Sequence, residues 1–140
     1  MKLQIIQDQS EAIEGYKSVL ATNFMPPNVD DVIDNSCETI SIGDTLDLYS
    51  DEARVNILAS VLKKLRLNGE FFFSGTEPRA LSKMYINNLI GTETFSKVIG
   101  STNSVLEIDK AISLVEQVGL SVETSNINGY KYEIRSRRTV

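Results

Sequence analysis

Ser50-Asp51-Glu52-Ala53-Arg54-Val55-Asn56-Ile57-Leu58-Ala59-Ser60-Val61-Leu62-Lys63-Lys64-Leu65-Arg66-Leu67-Asn68-Gly69-Glu70-Phe71-Phe72-Phe73 carries, in one unbroken run, a helix and the strand that follows it. Ser50 suits an N-cap, and Asp51 and Glu52 place negative charge where the helix dipole favours it. Ile57, Leu58, Val61, Leu62 and Leu65 recur at helical spacing. Lys63, Lys64 and Arg66 are expected in the last turn, and Asn68-Gly69 reads as the stop. Phe71-Phe72-Phe73 follows at once. A continuous apolar run of that kind predicts a strand buried on both faces, as in a parallel sheet, with Gly75 closing it.

Upstream, Glu38 to Ile42 alternates with Ile40 and Ile42 on one face, so the order is strand, helix, strand, the signature of a parallel α/β sheet with right-handed crossovers. Leu3, Ile5 and Ile6 form a strand candidate at the start. A polar stretch with helical character, Gln7 to Glu14, leads through Gly15 to a second strand candidate, Tyr16 to Ala21. Met25-Pro26-Pro27-Asn28 makes most of Thr22 to Ser36 a loop, because Pro-Pro blocks helix and central strand alike. Downstream, Thr76-Glu77-Pro78 starts a helix with Leu81, Met84, Tyr85 and Leu89 on its apolar face, ended by Gly91. Thr92 to Ile99 gives a short helix stopped by Gly100. Ile108, Ala111, Ile112 and Val115 mark another, ended by Gly119. The chain closes in a hairpin: Leu120, Val122 and Thr124 alternate, Asn128-Gly129 is a type I′ turn pair, and Tyr130, Tyr132 and Ile134 alternate on the return.

Composition narrows the chemistry. The 140 residues suit one domain, 1–140, and 41% hydrophobic with 24% charged residues is a globular balance. Lys plus Arg is 14 and Asp plus Glu is 19, a net charge of −5, which disfavours general nucleic-acid binding. The chain has no His, so His-based triads and His-liganded zinc are excluded. The single cysteine, Cys37, permits no internal disulfide and no cysteine metal cluster; no metal site is expected. No apolar run approaches the roughly 18–20 residues of a membrane span, and the chain reads as cytoplasmic.

Three stretches resemble the class I S-adenosylmethionine-dependent methyltransferases. Asp34-Asn35-Ser36-Cys37-Glu38-Thr39-Ile40-Ser41-Ile42 is similar to the segment entering that family's fourth strand. Asp44-Thr45-Leu46-Asp47-Leu48 resembles the acidic loop after it. Val61 to Phe73 is similar to the helix, glycine turn and fifth strand, and Ala111 to the closing hairpin resembles the last helix and final strand pair. The resemblance implies a Rossmann-like sheet of seven strands whose last is antiparallel. It also implies a glycine-rich cofactor loop after the first strand, where backbone N–H groups approach the ligand closely. Here that loop is Gln7-Asp8-Gln9-Ser10, with no glycine before Gly15. The carboxylate the family places at the end of the second strand, to hold the ribose hydroxyls, falls near Leu20. A third strand is lacking unless Val29 to Ile33 supplies a remnant. The fold is therefore expected to be methyltransferase-like and reduced at its cofactor side.

Two functions follow. In the first, the chain is a non-catalytic binding or assembly module, a pseudoenzyme with no cofactor, associating with itself as a homodimer or with a protein partner that covers exposed sheet. In the second, it is a small active methyltransferase with a divergent loop and an unnamed acceptor substrate. S-adenosylmethionine would then sit against Gln7, Asp8, Ser10, Asp34, Asn35 and Ser36, with Asp44 or Asp47 as base. The plainer reading makes Asp44, Asp47 and Tyr49 an ordinary turn before a helix, and Asp34 to Ser36 an ordinary turn before a strand. An active enzyme predicts an open pocket beside Gln7–Ser10 and Asp34–Ser36. Gly75-Thr76-Glu77-Pro78 is an anion nest or a plain helix cap. Lys131, Arg135, Arg137 and Arg138 form a basic end, either a contact for an acidic partner or a solvated terminus.

Overall fold

The computed structural model describes residues 1–140. Its strands are β1 (Lys2–Ile6), β2 (Lys17–Leu20), β3 (Cys37–Gly43), β4 (Leu65–Thr76), β5 (Leu120–Asn128) and β6 (Lys131–Arg138), and its α-helices are α1 (Asp51–Leu62), α2 (Pro78–Ile86), α3 (Thr92–Gly100) and α4 (Ile108–Gln117). The six strands form one sheet in the order β2-β1-β3-β4-β6-β5. β1 to β4 pair in parallel, while β6 runs antiparallel to both β4 and β5. The fold is α/β, mostly parallel with a C-terminal antiparallel hairpin. The sheet ends at β2: Val29 to Ile33 forms turns rather than a strand, although Val29 and Val32 are buried as plugs against the core.

Strand register explains why the sheet has one apolar face and one more polar one. Leu3, Ile40 and Phe71 stand side by side across β1, β3 and β4, and Phe73 lies opposite Ile134. This row packs with Ile57, Leu58 and Val61 of α1 and with Ala111 and Val115 of α4 in a core of 21 buried residues. One residue along, the row is Gln4, Ser41, Phe72 and Arg135. Because side chains alternate between faces, these all point the other way. There Arg135 sits over the Phe72 ring at 5.4 Å, and Arg137 binds Glu70 at 2.7 Å and Glu123 at 2.5 Å. The expected strand buried on both faces is thus corrected. Phe71 and Phe73 are core, whereas Phe72 lies on a polar face. Doubly wound sheets carry helices on both faces. Here the connection from β1 to β2 holds no α-helix, only a 3-10 turn, Gln9–Glu11, and it covers that face at β1 by hydrogen-bonding the buried Gln4 through the Glu11 carbonyl and the Ile13 N–H.

Several boundaries also move. α1 ends at Leu62, with no basic residue in its last turn, and Leu65 opens β4 as a fully buried strand residue. Asn68-Gly69 lies inside β4. The pairing jumps from Cys37–Leu65 to Thr39–Glu70, so the intervening residues bulge, with Asn68 at a φ of 64°. Gly75 stays within the strand. α2 stops at Ile86 and buries only Leu81, and Gly91 is the N-cap of α3. In the hairpin, Asn128 pairs with Lys131, which leaves Gly129 and Tyr130 as the central residues. Gly129 has a φ of 66° and Tyr130 is not left-handed, the φ pattern of a II′ turn rather than I′. No helix is long and apolar enough to cross a membrane.

Candidate functional site

Ligands of open α/β sheets bind beyond the carboxyl ends of the parallel strands. At that edge the chain gathers Gln7 after β1, Asp44 and Asp47 after β3, Thr76 at the end of β4, and Lys131 at the start of the antiparallel β6. Together with Thr102 these residues line a cavity of about 190 Å³. Of the residues expected to build a site, the structure brings together Gln7, Asp44 and Asp47.

Asp44 spends both carboxylate oxygens within the chain, accepting a hydrogen bond from the Ser74 hydroxyl and pairing with the Lys131 ammonium. Burial pulls the Lys131 ammonium down, but the Asp44 carboxylate, joined by Tyr130 and Asp47, more than offsets it, and the net shift is upward. Asp47 is only 4% exposed. Its Oδ2 accepts the Thr76 backbone N–H at 2.8 Å, while Oδ1 has no partner. Burial raises its pKa to about 6, the Asp44 charge adds to the rise, and the Thr76 hydrogen bonds and the Arg54 guanidinium oppose it. Gly75 makes this packing possible. A Cβ there would collide with the Tyr132 hydroxyl and lie 2.9 Å from Asp47 Oδ1. Tyr49 is engaged farther along the same edge: its hydroxyl donates to the Thr22 carbonyl at 2.7 Å, just after β2, and pins the Thr22–Met25 loop.

The loop after β1 is closed upon itself. Asp8 caps the 3-10 helix by accepting the Ser10 N–H at 3.0 Å, and Glu11 Oε1 accepts the Asp8 N–H at 3.1 Å. Asp8 and Ser10 are therefore engaged in a capping box. Asp34, Asn35 and Ser36 precede β3, whereas Asp44 and Asp47 follow it, so the two groups stand at opposite ends of the sheet. This corrects the expectation of one pocket beside both Gln7–Ser10 and Asp34–Ser36. Asp34 pairs with Lys64 at 2.6 Å, Asn35 accepts from Arg138 at 2.5 Å, and the Ser36 hydroxyl donates to the Ile33 carbonyl at 2.6 Å. Asp34 and Asn35 line a separate cavity of about 550 Å³ with Lys63, Gly119 and Arg138.

Other polar side chains hold the edge together. Glu77 is buried and serves two helices, accepting the Arg79 N–H of α2 at 2.7 Å and the Ile108 N–H of α4 at 2.6 Å. The negative charge at that helix N-terminus is the chain's own carboxylate, as expected of a plain cap. Arg54 is buried and donates to the Ser104 carbonyl at 2.9 Å and hydroxyl at 2.8 Å, tying α1 to the segment before α4. The basic end is largely consumed internally: Lys131 by Asp44, Arg135 by Phe72, Arg137 by Glu70 and Glu123, Arg138 by Leu65 and Asn35. No cluster of three or more Cys, Asp or Glu that could hold a metal ion is present.

Comparison with solved structures places this arrangement. A methyltransferase dependent on S-adenosylmethionine from Aquifex aeolicus superposes with a TM-score of 0.59 at 10% identity, covering 96% of this chain and 67% of its own. The fold is methyltransferase-like. An O-methyltransferase family protein from Burkholderia thailandensis matches at a TM-score of 0.60 and 9% identity over 89% of this chain, which spans only 36% of that protein. A Haloferax volcanii protein solved in complex with a methyltransferase activator matches at 0.62 and 8% identity, over 99% of this chain and 72% of its own. No family model matches the sequence, and no curated protein matches it.

Proposed function

We propose that this chain is a non-catalytic binding or assembly module on a methyltransferase-like fold. The observation that carries the reading is the Asp8–Ser10–Glu11 capping box. It commits the Asp8 and Ser10 backbone N–H groups to local side-chain acceptors, where a cofactor loop would present open backbone N–H groups. S-adenosylmethionine does not fit the residues present. The loop has no glycine before Gly15, and β2 ends in Leu20 with no carboxylate for a ribose. The Haloferax protein's association with an activator is a precedent for a protein partner.

One observation favours the second reading, a small active methyltransferase: Asp47, with a pKa of about 6, is poised as a base near neutral pH. Thermal melting with S-adenosylhomocysteine separates the two. A ligand at a hundred times its Kd stabilises the native state by about 2.7 kcal/mol. The module reading expects an unchanged melting temperature at millimolar ligand. A rise of several degrees, abolished by substitutions at Gln7 and Asp8, would overturn it.

A further inference from the structure

We infer that the hairpin strand β5 is a self-pairing edge, through which two copies of the chain join into one continuous sheet. The sheet has two edges, and they differ. β2 has four residues, and its Lys17 is held by Asp31 at 2.6 Å, a short, charged edge of the kind that resists pairing. β5 has nine residues, contains no Pro and no Lys, and is exposed from Glu123 to Asn128. Its single charge, Glu123, lies at the register shift between Val122 and Thr124 and is neutralised by Arg137. Thr124 to Asn128 is regular and uncharged.

The backbone fixes the geometry. Asn128 and Lys131 close a two-residue hairpin, so they form a hydrogen-bonded pair, and Asn126 and Thr124 also face β6. Ser125 and Ile127 therefore turn their N–H and C=O groups outward. A two-fold axis through Asn126 sets Ser125 against the partner's Ile127, and Ile127 against the partner's Ser125, with every outward group in this stretch answered. Thr124 then meets Asn128, Asn126 meets its own copy, and Glu123 falls opposite Gly129, so no like charges face each other. Half-exposed Ile127 gains cover. The occupant is a second copy because the pattern is complementary to itself under two-fold symmetry. This deepens the assembly reading above.

The experiment places cysteine on the axis. Directly opposed residues of this kind lie about 4.5 Å apart, within disulfide range. Asn126→Cys, oxidised with oxidised glutathione, is expected to give a covalent dimer at least tenfold faster than Ser60→Cys on the exposed surface of α1; native Cys37 is buried. Ser125→Pro deletes one outward N–H and leaves the β6 ladder intact. It is expected to sediment as a monomer at concentrations where the parent is a dimer, with a cooperative melt retained. A parent that sediments as a monomer at high micromolar concentration, equal cross-linking of the two cysteine variants, or a folded Ser125→Pro variant that remains dimeric would each overturn the inference. None of these readouts involves S-adenosylmethionine, so failure here is distinct from failure of the module reading.

Discussion

Asp47 gives the molecule a pH dependence of unusual sign. Most shifted carboxylates here move down: Asp8 beside the Ser10 N–H, Asp31 beside Lys17 and Asp34 beside Lys64. Asp47 instead rises from 3.8 to about 6. Below about pH 4 it is protonated in both the folded and unfolded chain and contributes no penalty. As the pH rises toward about 6 the unfolded chain releases its proton first, so stability falls, by on the order of 3 kcal/mol once both states are ionised. Urea denaturation between pH 4 and 7 is expected to show this decline, and Asp47→Asn is expected to flatten it. A variant that keeps the slope would assign the titration elsewhere. Beside it, Gly75→Ala forces a methyl group against Tyr132 and Asp47, with an expected loss of about 1–3 kcal/mol in the same assay. Asp44 and Asp47 were legible in the sequence because acidic residues after a strand land at its carboxyl end. Their partners were not: Lys131 is 87 residues from Asp44, and no local pattern announces that meeting.

Local signals succeeded for elements where they agreed with one another. Ser50 caps α1 as its position implies, accepting the Ala53 N–H at 3.3 Å, and the alternation in the closing segments yields β5 and β6. They failed where one signal serves two structures. Asn-Gly supplies the left-handed backbone of a helix stop and of a bulge alike, and at Asn68-Gly69 the strand partner β3 selects the bulge. Asp34 to Ser36 reads as a turn before a strand, and is one, but the sequence did not tell which end of the sheet that turn occupies. Glu77 shows how elements are tied together here, since one carboxylate caps both α2 and α4. Glu77→Ala is expected to lower stability by about 2 kcal/mol, roughly one cap for each helix, and Glu77→Gln, which keeps an acceptor, by less. Equal losses for the two variants, measured by thermal or urea melts, would mean that packing rather than capping holds the junction.

The whole molecule is a methyltransferase-like sheet furnished on one side. The core, α1, α4 and the C-terminal hairpin build one side, whereas the side after β1 and β2 holds a capping box, a Leu-terminated strand and a more polar sheet face. Alternation in β3, with Ile40 and Ile42 in the core and Thr39 and Ser41 on the other face, already carried that one-sidedness. The Phe71-Phe72-Phe73 run masked it, because Phe72 makes a polar face look apolar until Arg135 is placed over it. Calorimetric titration of the full chain with S-adenosylmethionine near neutral pH puts the account to the test. It predicts no heat of binding up to millimolar ligand, whereas saturable micromolar binding at one site per chain would contradict it.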